Sequence, residues 1–297
     1  MRIFVTGATG FVGSAVVQEL LGAGHQVLGL ARSEEAVQAL TAAGAQAHRG
    51  SLNDLDSLQR AVAETDGVIH CAFIHDFTQY AAAAEADRRA IEAMGAALAG
   101  SNRPFIATSG FAGLTQNGEL LTEEDARDAK VPAMRHSEDA ALALVPQGVR
   151  AMVVRLAASV HDAGDHGFVP TLINIAREKG EAAYVGDGHN RWPAVHRLDA
   201  ARLYRLALEK GVAGARYHGV ADEGIPIRTI AEVIGRHLSV PVVSKSSEEA
   251  GAHFGWMAGF AGLDLAASSA LTQQRLGWQP THKSLLADLE QGDYFRH

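Results

Sequence analysis

The residues with the clearest chemical potential stand at the start of the chain, where Thr6-Gly7-Ala8-Thr9-Gly10-Phe11-Val12-Gly13 directly follows the apolar run Ile3-Phe4-Val5. With the amphipathic set Val12, Val16, Val17, Leu20 and Leu21 behind it, the stretch reads as a strand, a glycine turn and a helix in succession. Gly7 supplies the backbone freedom of a tight turn, Gly10 lets main chain approach a pyrophosphate, and Gly13 lets helix pack closely on strand. The unsatisfied amides and positive end of the helix opening near Phe11 then face a negatively charged ligand. Thr9, Phe11 and Val12 share this loop and join the three glycines as candidate contacts to a dinucleotide.

Which dinucleotide depends on the end of the second strand, predicted over Val27-Leu28-Gly29-Leu30-Ala31. A fold that prefers NAD usually presents an acid there to the adenosine ribose; this chain presents Arg32-Ser33. A guanidinium and a hydroxyl pair with a 2′-phosphate that a carboxylate would repel, so NADP(H) is expected in preference to NAD(H). The alternative is that Arg32 is an ordinary solvated charge and Ser33 only the cap of the helix carrying Glu34 and Glu35.

The elements that must position these residues follow from the pattern downstream. Short apolar runs at residues 2 to 6, 26 to 31, 45 to 48, 68 to 71, 105 to 108 and 151 to 155 alternate with helical patterns, the order of a Rossmann-type, doubly wound parallel α/β sheet. The longest helix is expected from Phe77 to Leu98, ended by Gly100-Ser101-Asn102-Arg103-Pro104. Beyond Leu156 come glycine-rich turns at Gly164, Gly167, Gly186 and Gly188, then helices near 198–210, 227–238 and 268–276. Residues 1–155 are therefore expected to form mainly the NADP-binding Rossmann domain. Residues 156–297 form mainly a smaller substrate-binding lobe, with the chain crossing back around 190–220. The segment with Phe254, Trp256 and Phe260 reads as a packed or lid element over the pocket. Phe111, Phe168, Tyr184 and Trp192 are candidates for its apolar walls or for ordinary core.

Composition narrows the class. The 297 residues, 47% hydrophobic and 20% charged, suffice for one large or two intimately packed domains. A formal net charge of -8 without blocks of like charge argues against nucleic-acid and anionic-membrane partners. No apolar run approaches the ~20 residues that span a bilayer. The chain opens directly in a strand and Cys71 is the only cysteine, so a cytoplasmic protein without an internal disulfide is expected. Of the fourteen histidines, His161-Asp162 with Asp165-His166 and the pair His70 and His75 are the nearest to a ligand set. The lack of a His-x-x-x-His pair or cysteine cluster sets a metal site aside.

Taken together, the chain resembles the short-chain dehydrogenase/reductase superfamily, extended type, the group of sugar-nucleotide epimerases, dehydratases and 3β-hydroxysteroid dehydrogenases. The likeness covers nearly the whole length. It rests on Gly7-x-x-Gly10-x-x-Gly13, Ser51-Leu52-Asn53-Asp54-Leu55, Val68-Ile69-His70-Cys71-Ala72, Thr108-Ser109-Gly110 and the segment Asn190 to Asp199. The resemblance implies that Leu52 and Asn53 lie near the adenine and that Cys71, Ala72 and Phe73 line the pyrophosphate and ribose. It places Leu156 and Val160 beside the nicotinamide, with Thr108 among the cofactor contacts. It also implies that His196 and Asp199 join the two lobes, that the substrate is a small molecule, and that two copies pair through the long helix after the fourth strand, whose alanine-rich face over 81–97 permits close approach, and the helix after the fifth.

The chain departs from this family at the catalytic pair. Its members use Tyr-x-x-x-Lys, in which the lysine lowers the tyrosine pKa and the tyrosine protonates the substrate oxygen. Here the residues four before Lys130, Lys179, Lys210, Lys245 and Lys283 are Ala126, Ile175, Leu206, Pro241 and Gln279. Aligning Ser137 with the serine that commonly precedes the lysine puts Glu138 at the lysine position and Met134 at the tyrosine position, and methionine donates no proton. Gly110 falls where the substrate-binding serine or threonine belongs, one past Ser109, and Asp87 where an asparagine is usual.

Two readings follow. In the first, the chain is an atypical NADPH-dependent oxidoreductase that reduces a small aldehyde, ketone, enone or imine. Ser109, His136 and Arg135 are then the candidate catalytic groups, His75 lies near the mouth, and another side chain or water delivers the proton. His136 has the proton-transfer range and Arg135 the fixed positive charge. In the second, it binds NADP without turnover and reports redox state to a partner. Epimerase or dehydratase chemistry is a third, weaker alternative, because its proton handling needs the missing tyrosine.

Overall fold

The computed structural model describes residues 1–75, 79–114, 119–127 and 135–296. Among them the strands are β1 (Arg2–Thr6), β2 (Gln26–Ala31), β3 (Gln46–Arg49), β4 (Gly67–His70), β5 (Pro104–Ser109), β6 (Arg150–Leu156), β7 (Ser159–His161), β8 (Ala182–Val185), β9 (Arg191–His196), β10 (Arg216–Gly219), β11 (Asp222–Pro226) and β12 (Val242–Lys245). The helices are α1 (Phe11–Gly22), α2 (Glu34–Ala42), α3 (Leu55–Ala63), α4 (Tyr80–Ala96), α5 (Ser137–Leu142), α6 (Phe168–Lys179), α7 (Arg197–Lys210), α8 (Ile227–Leu238), α9 (Ser247–Phe254), α10 (Ala258–Ala261), α11 (Ala270–Leu276) and α12 (Leu285–Gln291).

Seven strands make one parallel sheet in the order β10-β6-β5-β4-β1-β2-β3. Its inner strands are apolar on both faces because helices cover both, as a parallel sheet requires. Alternate residues feed separate cores. Ile3, Val5, Ile69, Met152 and Val154 pack with Val16, Leu20, Leu203 and Tyr204 of α1 and α7. Phe4, Val68, Phe105 and Val153 pack with Leu58, Val62, Ile91, Met94 and Leu144 on the other face. The winding reverses between β1 and β4, which leaves a crevice beyond the carboxyl ends of those strands.

The remaining strands build the second lobe: β9 runs parallel to β7 and antiparallel to β11, and β8 pairs with β12. Between the lobes the chain returns to the large sheet, since α7 packs on α1 and β10 extends the sheet beside β6. Asp199, on α7, accepts hydrogen bonds from the Thr281 and His282 amides at 3.0 and 2.9 Å. His196 stacks on His282 with ring centroids 4.5 Å apart. Both residues thus tie the C-terminal segment down. The long helix begins at Tyr80, and Phe77, its expected first residue, lies outside the described residues.

Candidate functional site

A cavity of about 1290 Å3 opens at the crevice between the lobes. That exceeds the ~300–1,000 Å3 of an ordinary ligand pocket, so a dinucleotide and a second molecule fit together. Its floor is the glycine turn. Gly7 has φ +66°, and a side chain there would put a Cβ 2.8 Å from the Ala72 amide nitrogen. At Gly13 a Cβ would sit 2.0 Å from the Gly7 carbonyl oxygen, so α1 approaches β1 as closely as backbone allows. At Gly10 such a Cβ would crowd the Gly7 carbonyl oxygen at 3.2 Å, with no other atom within 4 Å. Gly10 is also the N-cap of α1, and no side chain caps the helix; its first amides stay available to an anion. Thr9, Phe11 and Val12 line the cavity beside them. The cradle therefore fits a pyrophosphate.

At the far end of the cavity lie Arg32, Ser33, Leu52 and Asn53. Arg32 is exposed and makes no hydrogen bond or ion pair among the described residues. The nearby Glu34 carboxylate is neutralised by Arg49. The Ser33 hydroxyl accepts the Ala36 amide at 3.3 Å as the cap of α2. It also donates to Glu35, whose carboxyl it holds below the usual range. Ser33 is thus already occupied, and the free group at this end is the guanidinium.

Cys71, Ala72 and Phe73 line the middle, with Thr108, Leu156 and Val160 opposite. Burial pushes the Cys71 thiol up to about 12, so it stays protonated and is no nucleophile. Thr108 bonds the His70 carbonyl and the Tyr204 hydroxyl, each at 2.7 Å. Tyr204 is itself fully buried, which drives its phenol well above the ordinary range.

The chemically distinctive end carries Ser109, Arg135, His75 and Tyr80. Arg135 is held from below. Its guanidinium bonds the Asp87 carboxylate at 3.3 Å and the Ser137 hydroxyl, and lies 4.0 Å above the Phe73 ring centroid. Asp87 and His70 are both fully buried. His70 Nε2 contacts Asp87 at 3.0 Å while its Nδ1 contacts the Thr6 hydroxyl at 2.7 Å. Burial works to raise the Asp87 pKa. The hydrogen bond and charge of His70, the charge of Arg135 and the Ser137 hydroxyl outweigh it and hold the carboxyl at about 2. The result is a fixed cation facing the cavity on a fully satisfied polar base. The Ser109 hydroxyl has no partner among the described residues and faces the same space. Burial, then the charges of Arg135 and His166, depress the His75 pKa, so its ring is neutral at neutral pH.

Two residues that sequence alignment brings toward the chemistry are elsewhere. His136 does not line the cavity. It is the N-cap of α5, 46% exposed and directed at Asp139, because adjacent residues at a helix start face different ways and Arg135 takes the inward one. Glu138, at the lysine position of the family motif, sits under the sheet edge as a carboxylate shared by Arg155 and Arg216. Met134 and Lys130 lie outside the described residues. Conversely, Tyr80 escaped the sequence reading. Of the five tyrosines it is the one that lines the cavity, with its ring 5.6 Å from Phe73. His161-Asp162 and Asp165-His166 do not converge either, since His161 pairs with Asp288 and Asp165 accepts from Tyr294, each at 3.0 Å.

A glycine cradle at the switch point of a doubly wound parallel sheet, with a second lobe over it, defines a Rossmann-type dinucleotide-binding protein. The chain belongs to the NAD dependent epimerase/dehydratase family, whose model matches residues 3–220, within the extended short-chain dehydrogenase/reductases. It is 54% identical over 296 residues to protein C2A9.02 of Schizosaccharomyces pombe, covering 99% of this chain and 100% of that one. A 4-hydroxy-2-methyl-3-oxo-4-farnesyl-3,4-dihydroquinoline-1-oxide ketoreductase of Stigmatella aurantiaca is 27% identical over 270 residues, 86% of this chain and 80% of the relative. Among solved structures, DesIV, a dTDP-glucose 4,6-dehydratase of Streptomyces venezuelae with NAD bound, superposes with a TM-score of 0.79 at 20% identity, covering 100% of this chain and 97% of that one; this likeness is one of fold. The family binds a nicotinamide cofactor, and membership in it supports an NAD(P)-dependent oxidoreductase or epimerase-type activity.

Proposed function

We propose that the protein is an NADPH-dependent reductase of a carbonyl-type substrate that works without the Tyr-x-x-x-Lys pair. One observation carries the reading: a permanent cation, Arg135, is fixed on buried Asp87 in the cavity that also holds the glycine cradle, the Ser109 hydroxyl and the Tyr80 phenol. Bound nicotinamide supplies hydride to a carbonyl carbon. The Ser109 hydroxyl donates to the carbonyl oxygen, and Arg135 stabilises the negative charge that grows there. Asp87 and His70 keep the guanidinium oriented, so little reorganisation is needed as charge develops. Tyr80 gives its proton to the oxygen and is reprotonated from water. Leu156, Val160 and Phe73 exclude water around the reacting atoms. The ketoreductase relative supports the reaction class, and the lack of a Tyr-x-x-x-Lys pair in the sequence disfavours epimerase chemistry.

The preference for the phosphorylated dinucleotide rests on Arg32. Arg32→Ala is expected to weaken NADPH binding about tenfold to a hundredfold, the loss of a charge-assisted contact, and to change NADH binding less than threefold. Calorimetric titration of both nucleotides reads the difference, and equal losses refute the assignment.

Tyr80→Phe is expected to lower kcat about a hundredfold with NADPH affinity unchanged. Burial raises the Tyr80 pKa, Arg135 opposes the rise, and Asp87 adds to it. The phenol therefore remains protonated through neutrality, and wild-type kcat stays level until the pH passes the ordinary tyrosine value of ~10. A decline between pH 7 and 8 would remove Tyr80 as the donor.

A further inference from the structure

The second lobe puts an aromatic wall on the cavity. Phe168, Trp256 and Phe260 all line it; the Phe168 ring lies 5.0 Å from Phe260 and 6.3 Å from Trp256. Behind them Trp192, fully buried, backs Phe168 at 5.5 Å. Phe111 and Leu265, both buried, continue the surface. Trp256 is 47% exposed, on a one-turn 3-10 helix, Gly255–Met257, that opens at Gly255 with φ +57°. An indole left half in water on a cavity wall, braced by two phenylalanines, offers a flat apolar face to a ligand.

Charge points the same way. Among the described lining residues the permanent cations are Arg32, at the end of β2, and Arg135, whose charge faces the carbonyl end of the cavity and is partly offset by Asp87. His166 turns its ring edge to Phe11 of the cradle, 5.7 Å away, and Asp165 adds a carboxyl to the lobe. A nucleoside diphosphate placed against the aromatic wall would bring two negative charges to a surface where the described residues offer no cation besides the single charge of Arg135 on its Asp87 base.

We propose that the substrate is an uncharged, largely apolar carbonyl compound with a flat aromatic or conjugated body, held against Phe168, Trp256 and Phe260 with its oxygen toward Ser109 and Arg135, and that nucleotide sugars are excluded. The inference rests on the reductase reading for the direction of the carbonyl, but not for the apolar recognition itself. The test is calorimetric titration of the full chain, saturated with NADP+ and again without nucleotide, with 2-acetonaphthone and with UDP-glucose. The ketone is expected to bind at least tenfold tighter than UDP-glucose. Trp256→Ala, a change at an exposed position, is expected to weaken the ketone about tenfold and to leave NADP+ binding unchanged. Equal or tighter binding of UDP-glucose, no binding of the ketone, or an unaltered ketone affinity in Trp256→Ala overturns the inference. Consumption of NADPH with the same ketone is measured separately: binding without consumption refutes the reductase reading and leaves the apolar site standing.

Discussion

Arg135→Met is expected to lower kcat for carbonyl reduction a hundredfold to a thousandfold, the usual cost of deleting one preorganised oxyanion contact. Methionine keeps an unbranched, flexible stem, shorter than arginine, and removes its charge. NADPH affinity should stay within a few-fold, since the cradle and Arg32 lie elsewhere in the cavity. The substitution also leaves the buried Asp87 carboxylate with His70 and Ser137 alone, so some loss of thermal stability accompanies it. Arg135→Lys separates the two effects. A lysine keeps the positive charge but lacks the planar fork, and it should recover part of the rate. Steady-state kinetics of the two variants beside their melting temperatures decide the matter; a methionine variant with wild-type kcat would refute the role of Arg135.

Gly13→Ala should have the largest effect on cofactor binding. The added methyl would lie 2.0 Å from the Gly7 carbonyl oxygen and 2.7 Å from its carbon, inside any tolerable contact, and both partners are backbone. Either α1 moves away from β1 or the turn opens. In both cases the amides that face the pyrophosphate lose their common focus. We expect NADPH affinity to fall by a hundredfold or more, equivalent to about 3 kcal/mol, and the melting temperature to drop as overpacking predicts. Gly24→Ala is a useful contrast, because nothing lies within 4 Å of a Cβ there although φ is +81°; it costs backbone strain without touching the cradle. Fluorescence titration with NADPH reads both variants.

What could be read from the chain was what local spacing encodes. The turn at Gly7 to Gly13 follows from backbone requirements within eight residues, and the inner sheet strands β1, β2, β4, β5 and β6 are largely buried and so stand out as apolar runs. Arg32 and Ser33 follow from the end of the second strand, while Leu52, Asn53, Cys71, Ala72, Phe73, Leu156 and Val160, which also line the cavity, came from the family resemblance. The short strands β7, β8, β9, β11 and β12, and β10 at the edge of the large sheet, were not legible: runs of three to six residues among turns carry too little periodicity to register. Nor was the base beneath Arg135. His70, Asp87 and Ser137 come from β4, α4 and α5, far apart in sequence and joined only by packing. Asp87 was visible as a departure from asparagine, but its partner was not. His136 and Arg135 are adjacent, and the start of α5 alone decides which faces inward. Tyr80 was overlooked because the motif directs attention to α5, while the phenol in the cavity comes from the first turn of α4.

The central claim is that this cavity delivers hydride from bound NADPH to a carbonyl carbon. NADPH carrying deuterium at the transferring C4 position, incubated with the protein and 2-acetonaphthone, tests it by mass spectrometry of the product. The account predicts an alcohol with one deuterium on the former carbonyl carbon, formed in step with NADPH oxidation. Tight NADPH binding with no labelled alcohol and no oxidation would contradict it, leaving a protein that holds the cofactor without using it.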